Sequence, residues 1–234
     1  MSRLDGRVIA VAGAGGSLGP VVVQHLAAEG AMVAGTDRDQ EHLDTCAASI
    51  GEDRWDGRIV DLLDEAAARD WCDAVAERFG RVDGLIHLVG GWRGGAPLHE
   101  APLEDWELLE GRLVRTVQNT TRAFHSQLDG SEAGRFVIVS AKQAQNPSND
   151  NAAYAAAKAA AEAWTLAYAG GFDGTTATAN IVVVNAILTP AMREKNPGKE
   201  YPSFTPAEHI AEAIAFLCSE EAAAMNGQRL SLHS

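Results

Sequence analysis

Residues 7–37 read RVIAVAGAGGSLGPVVVQHLAAEGAMVAGTD, and this stretch decides the fold. Arg7 to Ala12 is a short, apolar, β-prone run. Gly13-Ala14-Gly15-Gly16-Ser17-Leu18-Gly19 follows as a tight glycine-rich turn. Pro20 suits the first turn of a helix and Gly30 its C-terminal cap. Ala31 to Thr36 is a second strand that ends at Asp37. Strand, turn, helix and strand make a βαβ unit. Glycines at Gly13, Gly16 and Gly19 let the backbone approach a pyrophosphate, and the helix N-terminus offers free N–H groups to it. An acid roughly 20 residues past such glycines can accept from ribose hydroxyls, and Asp37 stands at the end of the second strand for that role. The bland alternative is a turn that only packs a helix on a strand. The ordered set of features outweighs it.

The alternation continues outward. Asp39 can cap a helix through Ser49, Arg58 to Val60 reads as a third strand ending at Asp61, and Asp64 caps a helix that runs to Phe79 and stops at Gly80. Val82 to Val89 is almost wholly apolar, as expected of a strand covered on both faces. A loop, Gly90-Gly91-Trp92-Arg93-Gly94-Gly95, precedes a long helical segment from Leu103 to Leu128. Phe136 to Val139 is a fifth strand, followed by a polar loop from Lys142 to Asn151 and an alanine-rich helix around Tyr154. Ile181 to Val184 is a sixth strand. Thr205-Pro206-Ala207-Glu208 reads as a capping box that opens a helix to Cys218, and Arg229 to Leu232 as a last strand. The pattern predicts one α/β domain over residues 1–234: a doubly wound, Rossmann-type fold with a parallel sheet of about seven strands flanked by helices.

Composition bounds the function. With 46% hydrophobic and 22% charged residues the chain is globular, and a net charge of -13 argues against nucleic acid and anionic membranes as partners. No apolar run approaches bilayer length, and the polar start, Met1 to Gly6, has no signal-peptide character, so a cytoplasmic setting is expected. Cys46, Cys72 and Cys218 are isolated and the seven histidines lack ligand spacing, so neither disulfides nor a metal site is expected.

In such a sheet, ligands bind at the carboxyl ends of the strands. The glycine turn, Asp37, Asp61, the Gly90–Gly95 loop and the start of the Tyr154 helix all fall on that rim. Tyr154-Ala155-Ala156-Ala157-Lys158 places a phenol and an ammonium one helical turn apart. A free phenol, with a pKa near ~10, is a poor acid or base at neutral pH, and a nearby ammonium lowers that value. The pair is therefore a proton-transfer device. Trp92 could stack on a flat substrate, Arg93 could meet a negative group, and Lys142 and Gln143 line the pocket by position. The stretch from Thr189 to Phe204 reads as a lid. His87 reads as a satisfied strand histidine, and Trp71, Trp106 and Trp164 as core or interface residues.

Order and spacing of these motifs resemble the short-chain dehydrogenase/reductase family over nearly the whole chain. The matching residues are the N-terminal βαβ, Asp37, Asp61, Tyr154-xxx-Lys158, Asn185-Ala186-Ile187 and Thr189-Pro190. The resemblance implies hydride transfer between a nicotinamide cofactor and a carbonyl, alcohol or activated double bond. Tyr154 would be the proton donor or acceptor, and Lys158 would bind the nicotinamide ribose and acidify the tyrosine. It further implies cofactor contacts at Gly13, Gly16, Ser17, Leu18, Gly19, Asp37, Arg38, Asp61, Leu62, Val89, Gly90 and Thr189, and a homodimer or homotetramer. Asp37 favours NAD over NADP, because a carboxylate there repels a 2′-phosphate, although Arg38 could bind that phosphate.

The chain also departs from the family pattern. Ala12 and Ser17 replace a threonine and the middle glycine of the turn, and His87-Leu88-Val89-Gly90 stands where Asn-Asn-Ala-Gly is usual. The position of the usual catalytic serine is Ala141, with Ser140 one residue earlier as a candidate substitute. The usual helical asparagine is replaced by Arg112, and Asn119 is a poor substitute. The Gly13–Gly19 turn, the Gly-Gly-Trp-x-Gly-Gly loop and Ala141-Lys142 are locally similar to dihydropteridine reductases, which suggests chemistry that does not need a serine to hold a carbonyl oxygen, on a small carbonyl, alcohol or quinonoid-type substrate. The loss of serine and asparagine also admits a second reading, a catalytically impaired NAD(P)-binding sensor or partner protein.

Overall fold

The computed structural model describes residues 2–233. Its first half runs β1 (Val8–Ala12), α1 (Gly19–Ala28), β2 (Met32–Asp37), α2 (Gln40–Ile50), β3 (Trp55–Ile59), α3 (Glu65–Phe79) and β4 (Gly84–His87). Then come α4 (Leu103–Glu110), α5 (Thr116–Gly130), β5 (Arg135–Ala141), α6 (Ala152–Gly170) and β6 (Thr178–Val184). The chain closes with β7 (Ile187–Leu188), α7 (Pro190–Lys195), β8 (Thr205–Pro206), α8 (Ala207–Leu217) and β9 (Arg229–Ser231).

Seven strands form one parallel sheet in the order β3-β2-β1-β4-β5-β6-β9. Every residue of β1 is buried, which is why that run carries no polar side chain. Its side chains alternate between two cores. Ile9 and Val11 pack with Val22 and Leu26 of α1 and Ile210 and Ile214 of α8, whereas Val8, Ala10 and Ala12 pack with Trp71, Phe124 and Leu128 from α3 and α5. The strand order reverses between β1 and β4, and a crevice opens there at the carboxyl ends.

Local signals behave as their chemistry requires. Asp39 accepts from Glu41 N, Asp64 accepts from Ala66 N and Ala67 N, and Gly80 closes α3 in the left-handed conformation. Asn119 pins the segment after β3 to α5 by donating to the carbonyls of Leu62 and Leu63. At the opposite end of the sheet from the crevice, buried Asp83 accepts from Val8 N at 3.0 Å, Ser131 Oγ at 2.7 Å and Arg81 Nη2 at 2.6 Å.

Four expectations need correction. The third strand begins earlier, at Trp55, because that side chain reaches the core and carries the backbone into register with Val33. The long helix is interrupted at Gly111–Arg115 by a π turn. The fourth strand is shorter than Val82–Val89, since the chain turns into the crevice after His87. The capping box does not form: Thr205 and Pro206 pair with Ile187 and Leu188, and Thr205 Oγ1 donates to Leu232 O at 2.9 Å.

The three cysteines are free and buried, and burial pushes each thiol up, Cys46 to about 11 and Cys72 and Cys218 to about 12. Ligand atoms of His25, Glu29 and Glu212 cluster within 4.8 Å, a grouping that histidine spacing could not reveal. Arg3 already supplies the cation there, bonding Glu29 and Glu212 at 2.9 Å each. Among the described residues no helix is long and apolar enough to cross a membrane.

Candidate active site

Gly13 sits at φ +82°, and a Cβ on it would lie 2.9 Å from Val89 N. A Cβ on Gly19 would lie 2.1 Å from Ala14 O, so this turn closes on the helix only with glycine there. The turn thereby sets the first residues of α1 against a two-lobed cleft. The lobes share Gly13, Gly16, Leu88 and Gly90.

The smaller lobe, about 220 Å³, is lined by Asp37, Arg38, Asp61, Leu62, Val89 and Arg112 among others. Backbone donors aim the Asp37 carboxylate: Oδ2 accepts from Gly15 N at 3.1 Å and Oδ1 from Arg38 N at 2.8 Å. Oδ1 also accepts from Asp39 N at 3.3 Å, and Oδ2 keeps lone-pair capacity for a further donor. Asp61 Oδ1 accepts from Leu63 N at 3.0 Å, and Arg38 is exposed. Arg112, on the π turn, lines this lobe and lies against Gly91 of the neighbouring one.

The larger lobe, about 600 Å³, brings Ser17, Leu18 and Gly19 together with Trp92, Ala141, Gln143, Tyr154 and Lys158. Leu88, Gly91, Val139 and the segment from Val184 to Ile187 complete it. Gly91 belongs to the glycine loop read as part of the rim, whereas Leu88 and Val139 are not among the site candidates of the sequence, because an apolar lining has no motif of its own. Trp92 is 57% exposed at the mouth.

Lys158 Nζ donates to the carbonyl of Val139 at 2.9 Å and not to the phenol. Burial therefore decides both groups. It pushes the Tyr154 hydroxyl up to about 12 and lowers Lys158 to about 8, with the charge of Glu162 acting in the opposite sense on the lysine. The expected acidification of the tyrosine by the lysine is absent from this arrangement. Ser140 borders the cleft, but its hydroxyl donates to Glu162 Oε1 at 2.6 Å, while Ala141 presents only a methyl. Strand alternation sends the two side chains opposite ways, and no bulge corrects it.

Three other candidates lie elsewhere. The Arg93 guanidinium turns back to the Trp92 carbonyl and to Asp105, 3.7 Å away, on the far side of the glycine loop. Lys142, half-buried, opens a turn after β5 and is not part of the lining. Thr189 spends its hydroxyl as the N-cap of α7, accepting from Met192 N at 3.3 Å. α7 and the exposed residues after it are the segment read as a lid.

Among the buried polar atoms without a partner in the described residues, Gln143 Oε1 belongs to the larger lobe, Thr36 Oγ1 to the smaller one, and His87 Nε2 lies at the end of β4. His87 is the buried strand histidine expected, but its Nε2 is left without a partner among the described residues. Burial and the charge of Lys158 lower its pKa to about 3, so it is neutral. Unpaired polar atoms beside a glycine turn that a Cβ would block are what a cleft for a polar ligand shows. The residues present fit a dinucleotide: backbone N–H groups for the pyrophosphate, Asp37 for a ribose, and Tyr154 with Lys158 at the reacting end.

Comparison with known proteins agrees with this geometry. A family model described as enoyl-(acyl carrier protein) reductase matches residues 13–233. The chain is 29% identical to D-threitol dehydrogenase of Mycolicibacterium smegmatis, covering 97% of this chain and 92% of that protein. It is 28% identical to 3-oxoacyl-(acyl carrier protein) reductase of Thermotoga maritima, covering 98% and 97%. The crystal structure of a short-chain dehydrogenase from Burkholderia cenocepacia in complex with NADP superposes with a TM-score of 0.86 at 29% identity, covering 99% of this chain and 98% of that one. A crevice at the strand reversal, the glycine turn and the Tyr154–Lys158 pair thus coincide with a match across almost the entire length, and the chain belongs to the short-chain dehydrogenase/reductase family of NAD(P)-dependent oxidoreductases.

Proposed function

We propose that the protein moves hydride between NAD(P)(H) and a small carbonyl, alcohol or quinonoid-type compound, with Tyr154 as proton donor in reduction and acceptor in oxidation. The observation that carries this reading is that Tyr154 and Lys158 line the same lobe as the glycine turn. Nicotinamide, when bound, supplies or takes the hydride. Tyr154, with a hydroxyl near 12, stays protonated at neutral pH and can protonate a developing alkoxide. The Lys158 ammonium offsets the charge left on the phenolate. Ala141 gives no hydrogen-bond donor, so a substrate oxygen depends on Tyr154, and Gln143 offers a free polar group beside it. Assay of NADH and NADPH with a panel of small ketones, diols and quinonoid compounds tests this. Turnover of at least one class is expected. Tight cofactor binding with no turnover across the panel would favour the sensor reading, which has no need of a tyrosine–lysine pair in the cleft.

We further propose NAD as the preferred cofactor, on the strength of the backbone-held Asp37 carboxylate. Asp37→Asn keeps an acceptor and removes the charge. It should raise NADPH affinity relative to NADH by about tenfold or more, since facing like charges cost on the order of a few kcal/mol and Arg38 remains to meet the phosphate. Calorimetric titration with both cofactors measures this, and an unchanged ratio would refute the assignment. A homodimer or homotetramer, built on α4, α5 and α6 and working in the cytoplasm, completes the proposal. Leu103 and Trp106, 82% and 40% exposed, await cover. A light-scattering mass equal to one chain would rule the oligomer out.

A further inference from the structure

α6 continues the line of Tyr154 and Lys158 by one more turn, to Glu162, so the three side chains share one face of the helix. Glu162 is 2% exposed in an otherwise alanine-rich helix, and a buried carboxylate persists only when paired. Its donors come from three other segments. Ser140 Oγ of β5 reaches Oε1 at 2.6 Å, Arg229 Nε of β9 reaches Oε2 at 2.6 Å, and Gln145 Nε2 reaches Oε2 at 3.4 Å. All three donate to the carboxylate. The Arg229 side chain is 39% exposed, so water screens its charge as it does not screen that of Glu162. Lys158, toward the cleft, makes one hydrogen bond among the described residues, to the Val139 carbonyl, and a carbonyl does not neutralise an ammonium.

We propose that Glu162 is a positioning residue for the reaction: its buried carboxylate is the counter-charge that keeps Lys158 an ammonium beside Tyr154, Ser140 and Gln145 hold that carboxylate in place, and Arg229 competes with Lys158 for its charge. The inference rests on the roles proposed above for Tyr154 and Lys158. It also gives Ser140 work different from that of the serine missing at position 141. The titratable and charged groups on elements packed against α6 are Glu104, Asp105, Glu107 and Glu110 on α4, Arg112 and Arg115 on the π turn, Arg122, His125 and Asp129 on α5, Arg135 on β5 and Lys142 after it, with neutral His87 nearby on β4 and Tyr154 on the same helix. Among the acids, Glu162 is the one whose charge acts on Lys158. Burial already brings Lys158 down to about 8, and Glu162 is the group that opposes the fall. Without it the ammonium would be lost near neutral pH.

The chain has four lysines, so Lys158 can be followed in the cofactor-free protein by NMR with isotope-labelled lysine. Glu162→Gln keeps the side-chain shape and should lower the Lys158 midpoint by about one pH unit. Arg229→Gln removes a cation that competes for Glu162 and should raise it. The alkaline limb of kcat/KM for carbonyl reduction should move in the same direction in each variant. A purely structural Glu162 would lower the unfolding temperature and leave the lysine titration in place. An unmoved midpoint, or shifts of the same sign in both variants, would overturn the proposal. Should Glu162→Gln fail to fold, half-exposed Arg229→Gln decides alone by the sign of its shift. Failure of the catalytic reading itself looks different: Lys158 titrates as described, but no substrate turns over.

Discussion

Tyr154→Phe should lower kcat by about 10²- to 10⁴-fold, the range that a positioned acid or base contributes, while leaving cofactor affinity and fold almost unchanged. The reasoning starts from what the variant removes. Tyr154 lines the larger lobe, and its hydroxyl forms no hydrogen bond with another described residue, so deleting that oxygen breaks nothing in the fold. The ring remains, and with it the packing beside Leu109, Leu113 and Ala157. Ala141 supplies no donor, and the Ser140 hydroxyl is engaged with Glu162, so no neighbour on β5 replaces the lost proton. Single-turnover rates, calorimetry with NADH and a thermal melt separate chemistry from binding and folding. Undiminished hydride transfer would remove Tyr154 from the mechanism.

A second large effect is expected far from the cleft. Asp83→Ala should destabilise the fold by about 3 kcal/mol, because Val8 N and Ser131 Oγ lose their acceptor and at least the first is buried. For a chain of this size that corresponds to a fall in Tm of about 6 to 12 °C. Arg81, 52% exposed, recovers its hydration and limits the loss. Asp83 sits at the amino ends of β1 and β4, whereas the cleft lies at their carboxyl ends. kcat at permissive temperature should therefore stay close to that of the parent chain. Thermal melts paired with activity measurements check both halves, and a kcat loss that exceeds the unfolded fraction would tie this end of the sheet to catalysis.

Several parts of this molecule could be read directly from the chain because their causes are local. An apolar run of β-prone residues makes a strand whatever surrounds it. Glycines at Gly13 and Gly19 are demanded by the turn they occupy, and Asp39, Asp64 and Gly80 cap helices through donors or φ values within a few residues. Tyr154 and Lys158 share a face because the helix repeats every 3.6 residues. Alternation of strand and helix then leaves few ways to wind the sheet, and the rim follows from the winding.

What could not be read depends on partners far apart in sequence or on burial. Thr205 satisfies a capping pattern, but Leu232 O and the short pairing with Ile187 claim its residues first. Arg93 belongs to the loop that forms the mouth, yet the direction of its guanidinium depends on Asp105, at the start of another helix. The tyrosine was expected to be acidified by its lysine, but enclosure of the ring and the Val139 carbonyl decide otherwise. Glu162 left one trace in the sequence, an acid four residues past Lys158 in an alanine-rich helix. Only the fold, by bringing β5 and β9 to that helix, turned it from a solvated charge into a buried one. The sequence by itself determined the sheet, the glycine turn and the Tyr154–Lys158 pair, since propensity, glycine φ and helical spacing act over a few residues. The tertiary structure alone decided which charges face that pair, because desolvation and ion pairing are set by neighbours that the chain order does not place together.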